Sequence, residues 1–250
     1  MNFNYGLIFT LCQAEDSTQY AVLFLVFHIL AMAAGYFLGS INSAILVSRA
    51  LHGEDIRKLG SGNAGLTNVY RVYGKKEALL TLAGDVLKTA LAIGIGGFLL
   101  GFAYVGGISF GTGCYVAGTF AVVGHIFPIY HQLKGGKGVL ATATMALILS
   151  PAVFLILFLS FALILWLTKY VSLSSVTAAM LYPVVVYAYL HIVFPGARPQ
   201  GIVTLTTMLL AVLIVCKHIG NLQRIYERTE NQFSFHRSKK SKKEDADDER

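Results

Sequence analysis

The segment from Leu59 to Arg71 combines a flexible backbone with many hydrogen-bond donors, as an anion site requires. Glycines allow left-handed turns, in which successive backbone N–H groups form a concave nest for an anion. The glycines of the segment are Gly60, Gly62 and Gly65. The side chains that add donors are Ser61, Asn63, Thr67, Asn68 and Arg71. The segment predicts a phosphate site, with an ordinary polar loop as the alternative.

A second basic segment occurs at Lys134-Gly135-Gly136-Lys137-Gly138, directly after an apolar stretch. Its glycines free the backbone and its ammonium groups supply positive charge, so the pattern indicates another phosphate clamp. The alternative is a flexible basic loop that lies against anionic lipid headgroups.

A third polar group lies near the end of the last apolar stretch. His218 and Asn221 are three residues apart and share a helix face, which Arg224 extends. Imidazole and amide groups can orient a hydroxyl or a phosphate, although polar residues also simply end helices. Ser175, which follows the basic Lys169, is a candidate accessory contact with helix capping as its alternative role.

Asp85 and Lys88 have the same three-residue spacing inside an apolar stretch. Charges within a membrane are costly and are usually paired in the protein interior. We therefore interpret them as a structural ion pair that orients its helix beneath the glycine segment. A proton relay is the alternative, and it lacks a further carboxylate to continue it.

The composition indicates what kind of protein must position these groups. Of 250 residues, 55% are hydrophobic and only 13% are charged, whereas a soluble domain has about 25% charged residues. No Asp or Glu occurs between Val86 and Tyr226. This excludes a soluble globular enzyme and, over most of the chain, carboxylate dyads, acidic metal sites and Ser-His-Asp triads. We predict no metal and no cofactor, and a chemistry that relies mainly on cations, amides and hydroxyls.

Five apolar stretches predict helices that cross a bilayer, for which about 20 residues suffice. They run over about Ala21–Val47, Ala78–Leu100, Phe110–Tyr130, Ser175–Phe194 and Ile202–Cys216. The stretch from Val139 to Leu167 is too long for one straight span, and Pro151 lies near its middle. Because proline breaks or kinks a helix, this stretch is either one kinked span or two short ones.

The distribution of Lys and Arg decides between these two readings, because such residues mark cytoplasmic loops. They are concentrated in Arg49–Lys76, His131–Gly138 and the tail after Cys216. An even number of crossings must separate the last two regions, which favours the short pair. We predict an all-α polytopic membrane protein with seven transmembrane helices, two of them short, an outer N-terminus and a cytoplasmic C-terminus. The loops around Ser61, Lys137, Lys169 and His218 then share the cytoplasmic face.

The ends of the chain differ from its apolar centre. Residues 1–20 lack the basic region of a cleavable signal and predict an N-terminal periplasmic extension. Residues 21–232 form the integral-membrane domain, and the charged residues 233–250 predict a disordered cytoplasmic tail. The three cysteines are Cys12, Cys114 and Cys216, which predict packing residues rather than a disulfide framework.

Six ordered motifs resemble one bacterial family. They are Gly39 to Ala44, Gly60 to Arg71, Asp85 to Lys88, Gly124 to Pro128, Lys134 to Gly138 and His218 to Asn221. In this order the chain resembles the bacterial membrane acyl-phosphate:glycerol-3-phosphate acyltransferases over about residues 30 to 230. It departs from the family pattern at Asn42, where many members have Pro, at Leu66, and at Ile219-Gly220.

The resemblance implies transfer of a fatty acyl group from acyl phosphate to the 1-hydroxyl of sn-glycerol 3-phosphate, which gives lysophosphatidate and phosphate. It also implies a multi-pass protein of the bacterial inner membrane, with its site facing the cytoplasm and membrane lipids around it. Acyl phosphate would be handed over by the soluble enzyme that makes it, and no nucleic acid is expected as a partner.

Site roles also follow from the resemblance. The implied catalytic residues are Ser61, Arg71, Lys137, His218 and Asn221. The implied substrate-binding residues are Gly60, Gly62, Asn63, Gly65, Thr67, Asn68, Lys134, Gly135, Gly136, Gly138 and Ser175. Asp85 and Lys88 are expected to be structural. The proton acceptor is either a substrate phosphate or His218. A small-anion transporter is the alternative function, although no inverted repeat is visible.

Overall fold

The computed structural model describes residues 17–102, 110–193 and 200–233, and every regular element among them is helical. The α-helices of these residues are α1 Ser17–Gly39, α2 Ser43–His52, α3 Leu66–Val72, α4 Lys75–Phe102, α5 Phe110–Ile126, α6 Val139–Leu149, α7 Pro151–Thr168, α8 Val171–Val193 and α9 Gln200–Tyr226. Short 3₁₀ turns lie at Ile56–Lys58 and Ile129–His131. In this part of the chain, 6 helical segments are long and apolar enough to cross a bilayer. The all-α architecture is confirmed, while seven crossings and the sidedness of the ends stay predictions.

The ambiguous apolar stretch after Lys137 consists of two helices rather than one kinked helix. α6 ends at Leu149 and α7 begins at Pro151, because proline is well suited to the first position of a helix, whose N–H has no intrahelical partner. The expectation of two short helices is wrong for the second one. α7 has 18 residues and is long enough to span a bilayer by itself, whereas α6 has 11.

The first predicted span is interrupted. α1 ends at Gly39 and α2 begins at Ser43, so the expectation of one helix through Val47 is wrong. The side chain of Asn42 is the physical reason, since its Oδ1 accepts a hydrogen bond from the Ile45 N–H at 3.1 Å and caps a new helix.

The glycine segment is a loop only in its first half. α3 begins at Leu66, so the later polar residues of the segment project from a helix. Beneath the segment lies a small core that includes Ile45, Ile56 and Val69, all fully buried. This core holds α3 and the first 3₁₀ turn against α2, and it fixes the loop between them.

α5 is the most buried of the long helices, and α1 and α4 pack closely against it. The approach of α4 requires glycine, because a Cβ on Gly96 would lie 2.2 Å from the Ala117 Cβ and 2.5 Å from the Gly113 carbonyl oxygen. Small residues at helix contacts are typical of membrane proteins, where close backbone packing replaces the hydrophobic effect. A larger apolar cluster joins α5 to α6, α7, α8 and α9.

Two predicted segments lie outside the described residues. These are the N-terminal extension up to residue 16 and the tail from residue 234. Of the cysteines, Cys114 is buried and packs within the larger apolar cluster. Cys216 is exposed, so the packing role expected for it is wrong, because its position on α9 faces away from the interior.

We expect Gly96→Ala to destabilise the fold, because the added methyl group has no room between α4 and α5. Overpacking typically costs about 1–3 kcal/mol. Gly94→Ala is a matched control on the same helix, since nothing lies within 4 Å of its Cβ position. Thermal unfolding of the purified protein in detergent should give a lower Tm for Gly96→Ala than for the control. Equal Tm values for the two variants would contradict the close approach.

Candidate active site

A cavity of about 1340 Å³ lies where the polar segments meet. The predicted site residues that line it are Ser61, Asn63, Gly65, Thr67, Asn68, Arg71, Asp85, Lys137, Gly138, Ser175, His218 and Asn221. Its apolar wall comes from helix interiors and includes Val139, Leu140, Ala143, Phe154, Leu157, Phe158, Ala178 and Tyr182. Phe158 is also 51% exposed, so this wall reaches the outer surface of α7. One cavity therefore joins a cationic region to an apolar one.

The loops that carry the polar wall are tied together at one end of the helices. The Lys137 Nζ donates to the Asn221 Oδ1, and the Phe233 N–H donates to the Lys169 carbonyl at 2.8 Å. The prediction that these loops share one end is confirmed. Other predicted site residues lie outside the cavity wall: Gly60, Gly62, Lys88, Lys134, Gly135 and Gly136.

Asn68 organises the glycine segment from inside. Its Oδ1 accepts a hydrogen bond from the Ser61 N–H at 2.8 Å, and its Nδ2 donates to the Leu59 carbonyl at 3.0 Å. Gly60 is needed beside it, because its φ is +56° and a Cβ there would lie 2.4 Å from the Asn68 Oδ1. The Asn68 amide thus shapes the loop, and its direct contact with a substrate stays a prediction.

The remaining donors of the segment are available to a ligand. Within the described part of the chain, no protein group forms a hydrogen bond with the side chains of Ser61, Thr67 or Arg71, and all three line the cavity. A guanidinium presents a planar set of donors that suits phosphate. This face of the cavity can therefore receive an anion without first breaking an internal contact.

The Lys134–Gly138 loop is pinned to the end of α5. The Gly135 N–H donates to the Ile126 carbonyl at 3.2 Å, and the Gly136 N–H donates to the His125 carbonyl at 3.1 Å. A Cβ on Gly136 would lie 2.2 Å from the His125 Nε2, so glycine is required for this approach. The two glycines place the loop, and their contact with a substrate stays a prediction.

Arg57 connects the two predicted phosphate loops. Its guanidinium donates to the carbonyls of His131 at 2.9 Å and Lys134 at 3.1 Å, and it pairs with Asp55 at 2.7 Å. The hydrogen bonds from Arg57 hold the pKa of Asp55 well below its ordinary value. The ion pair therefore persists over the physiological pH range and fixes the register of one loop against the other.

A buried ammonium group links the helices beneath these loops. The Lys88 Nζ donates to the Ile41 carbonyl at 2.7 Å and lies 2.8 Å from the Asp85 Oδ1 and 3.0 Å from the His125 Nδ1. The expected Asp85–Lys88 ion pair is present. Its partners belong to α4, to α5 and to the interruption between α1 and α2, which favours a structural role over a relay.

Asn42 is an anchor that residue types alone did not reveal. Besides capping α2, its Nδ2 donates to the Ala64 carbonyl at 3.3 Å and so holds the glycine segment. A helix-capping signal was present, because Asn directly before an apolar helical pattern is a typical N-cap. Its second contact, across 22 residues, has no local signal.

Lys137 is the cation of the second loop that enters the cavity. Burial lowers its pKa to about 8; the Glu230 carboxylate opposes this shift, and the guanidinium groups of Arg224 and Arg71 add to it. Its ammonium group is therefore charged at neutral pH but close to the pH at which it loses the proton.

His218 and Ser175 face the cavity from α9 and α8. The His218 Nδ1 lies 2.8 Å from the Ile214 carbonyl, and because a carbonyl only accepts, Nδ1 carries the proton. In the neutral ring Nε2 is then an acceptor. The Ser175 hydroxyl donates to the Val171 carbonyl at 2.8 Å, which leaves its oxygen lone pairs rather than its proton for a ligand.

A carboxylate in the cavity wall corrects the expectation of a site built almost without Asp and Glu. Glu230 lies beyond the acid-free stretch, and the chain folds back after α9 to bring it to the cavity. It accepts hydrogen bonds from Ser172, Asn221 and Arg224. No helical periodicity connects Glu230 with Asn221, because the helix ends between them.

The fold and the site define a polytopic, all-helical membrane protein whose cavity places phosphate-binding groups beside an apolar wall. A family model described as glycerol-3-phosphate acyltransferase matches residues 29–228. The chain belongs to this glycerol-3-phosphate acyltransferase family.

Curated relatives agree with this family. The chain is 40% identical over 209 residues to the glycerol-3-phosphate acyltransferase of Syntrophotalea carbinolica, which covers 83% of this chain and 97% of the relative. It is 34% identical over 201 residues to the glycerol-3-phosphate acyltransferase of Bacillus subtilis, with coverage of 80% and 95%.

Two solved structures share the fold. Both are crystal structures of PlsY (YgiH), an integral membrane glycerol 3-phosphate acyltransferase. The glycerol 3-phosphate form has a TM-score of 0.68 and 30% identity, and covers 83% of this chain and 96% of that chain. The lysophosphatidic acid form has a TM-score of 0.66 and 28% identity, with coverage of 83% and 95%. This chain is accordingly an integral membrane protein.

We expect the affinity for glycerol 3-phosphate to fall as the pH rises through about 8, because Lys137 loses its positive charge there. Lys137→Arg should remove the decline, since a guanidinium stays protonated. Calorimetric titration of the purified protein across this pH range measures both curves. Parallel declines in the two proteins would show that another group is responsible.

Proposed function

We propose that the chain transfers a fatty acyl group from acyl phosphate to the 1-hydroxyl of sn-glycerol 3-phosphate. The products are lysophosphatidate and inorganic phosphate, and the reaction is the first acylation step of phospholipid biosynthesis. The observation that carries the proposal is the single cavity in which cationic donors adjoin an apolar wall. The glycerol 3-phosphate and lysophosphatidic acid forms of PlsY support the acceptor and the product.

Each substrate brings a phosphate, and the polar wall contains two groups of donors. We assign one phosphate to the glycine segment and α3, where Ser61 and Arg71 are free of internal hydrogen bonds. We assign the other to Lys137 and the His218–Asn221 face of α9, with Ser175 as an accessory contact. Two subsites side by side suit a reaction in which both reactants are phosphorylated.

The acyl chain belongs along the apolar wall between α6, α7 and α8. This wall supplies Phe154, Leu157, Phe158 and Tyr182, and its outer edge is open toward lipid at Phe158. A long chain can then extend from the reacting carbonyl into the bilayer, so that its CH₂ groups remain in apolar surroundings when the substrate binds.

In the chemical step, the 1-hydroxyl oxygen attacks the carbonyl carbon of acyl phosphate. A C–O bond to glycerol forms, the C–O bond to phosphate breaks, and its electron pair leaves with the phosphate. Because phosphate is a good leaving group, little acid catalysis is needed. Arg71 and Lys137 stabilise the developing negative charge. Holding both substrates in place can supply up to about 7–11 kcal/mol.

The hydroxyl proton passes to an oxygen of a bound phosphate, so a substrate supplies the base. His218 is the rival base, since its Nε2 is an acceptor in the neutral ring. The carboxylates of the cavity have other partners: Asp85 pairs with Lys88, Glu230 accepts three hydrogen bonds, and Glu77 lies 3.5 Å from the His52 Nε2. This leaves a substrate phosphate or His218 as acceptor of the proton.

We place the enzyme in the bacterial inner membrane, with the cavity open to the cytoplasm. The basic loops at the polar end support this orientation through the positive-inside rule. Glycerol 3-phosphate would enter from the cytoplasm, and acyl phosphate would be handed over by the soluble enzyme that makes it.

The test uses purified protein with labelled glycerol 3-phosphate and either long-chain acyl phosphate or acyl-CoA. We expect labelled lysophosphatidate with acyl phosphate and none with acyl-CoA. Arg71→Ala should lower the rate by about 10²-fold or more, because a donor to the developing charge is removed. Lys58→Ala is the matched control, since Lys58 is an exposed cation of the same region outside the cavity wall. Product formation from acyl-CoA alone would reject the proposed donor.

His218→Gln separates the two candidate bases. If a substrate phosphate accepts the proton, the variant should keep substantial turnover, because glutamine retains a polar group at this position. Loss of a general base typically costs about 10²–10⁴-fold. Single-turnover rates with saturating substrates measure the chemical step. A loss of that size with intact binding and folding would identify His218 as the base.

A further inference from the structure

The residues after α9 fold back over the polar end of the cavity. α9 ends at Tyr226, and Arg228 has a left-handed φ of 58° that reverses the chain. The Glu230 N–H donates to the Arg224 carbonyl at 3.1 Å, and the Phe233 N–H donates to the Lys169 carbonyl at 2.8 Å. The segment is thereby fixed to both α9 and the loop before α8.

This turn delivers the carboxylate of Glu230 to three donors from two helices. Its Oε1 accepts from the Ser172 Oγ at 2.8 Å and from the Asn221 Nδ2 at 2.6 Å, and its Oε2 accepts from the Arg224 Nε at 2.8 Å. Only 8% of the side chain is exposed. Hydrogen bonds to an ionised group are stronger than neutral ones, so the arrangement is well determined.

The bond to Asn221 has a directional consequence. An amide NH₂ only donates and an amide oxygen only accepts. Because Glu230 accepts from the Asn221 Nδ2, the Asn221 Oδ1 faces the opposite way, where it accepts from the Lys137 Nζ. The Glu230 carboxylate therefore fixes the orientation of the Asn221 amide, and the amide oxygen in turn fixes the position of the Lys137 ammonium group in the cavity.

The charges around Lys137 reinforce this geometry. Arg71 approaches from α3 and Arg224 approaches from α9, beside the neutral ring of His218, whereas Glu230 brings the negative charge that opposes the lowering of the Lys137 pKa. Removal of that carboxylate leaves the ammonium among like charges and in a buried position. Its pKa should then fall further below its ordinary value.

We propose that Glu230 is a positioning residue for acyl transfer, which acts through Asn221 to direct the Lys137 ammonium toward a bound phosphate. The proposal rests on the proposed function, in which Lys137 contacts a substrate phosphate. Glu230 itself touches neither substrate. It keeps the amide of Asn221 in one orientation and supplies a fixed counter-charge.

Glu230→Gln tests the proposal in the full-length protein, because glutamine has the same shape but cannot accept from all three donors. We expect kcat to fall by about tenfold or more, as for loss of hydrogen bonds to a charged group. We also expect the alkaline limb of the pH–rate profile to move to lower pH. Glu227→Gln is the matched control: it removes the same charge three residues away, where the Glu227 side chain accepts a hydrogen bond from the exposed Gln223. It should change neither quantity.

Glu230→Asp separates the effect of side-chain length from the effect of charge. It keeps the counter-charge but shortens the side chain, so we expect a lower kcat with the alkaline limb close to that of the unchanged protein. Unchanged kcat in Glu230→Asp, or kcat and a pH profile in Glu230→Gln that match those of Glu227→Gln, would overturn the proposal. So would failure of both Glu230 variants to fold, since the residue would then serve the fold alone.

The same assays keep the two proposals apart. All variants are measured with the donor that the unchanged protein uses, whether acyl phosphate or acyl-CoA. Use of acyl-CoA alone would reject the proposed donor and still allow the Glu230 comparison. Activity with acyl phosphate, together with unaltered Glu230 variants, would reject only the positioning role.

Discussion

The buried ammonium group of Lys88 is the contact on which the polar end of the molecule depends. It reaches the Ile41 carbonyl in the break between α1 and α2, Asp85 on its own helix and His125 on α5. Removal of the Asp85 carboxylate would leave an uncompensated charge in the interior, which is strongly unfavourable. Both predicted phosphate loops are attached to these groups, because Asn42 beside the break holds the glycine segment and the His125 carbonyl holds Gly136.

Several positive charges near the site are held by fixed contacts with other protein groups. The guanidinium group of Arg57 pairs with Asp55 and joins two loops, and the ammonium group of Lys88 joins helices. Arg71 and Lys137 present cationic groups to the cavity as candidates for substrate. Lys75 and Lys76 also line it, and Arg224 is bound to Glu230 at its margin. Carboxylates are nearly absent along the spans, and those close to the site each have a particular role. Asp85 balances a structural cation, and Glu230 orients a functional one.

Local patterns predicted the helical class, the break at Ser150-Pro151 and the meeting of the polar loops at one end. Proline affects the backbone over a few residues, and loop charge follows the order of the crossings along the chain. Both signals can therefore be read from one sequence. The interruption at Asn42 was less visible, because its small polar residues Ser40, Asn42 and Ser43 lie within a long apolar stretch. Glu230 was invisible for a different reason: its partners Ser172 and Asn221 are 58 and 9 residues away, and only the reversal after α9 brings them together.

Because the cavity is exposed at Phe158, the relevant concentration of one substrate is its concentration in the membrane. A single-chain lipid that enters between helices is drawn from a two-dimensional solvent, so its occupancy follows its mole fraction in the membrane. Dilution of the surrounding lipid then lowers occupancy even when the amount per volume of suspension is constant. The water-soluble phosphate ester obeys ordinary volume concentration. In the proposed reaction, one substrate comes from the membrane and the other from water. The kinetics should therefore depend separately on the mole fraction of the first in the membrane and on the volume concentration of the second.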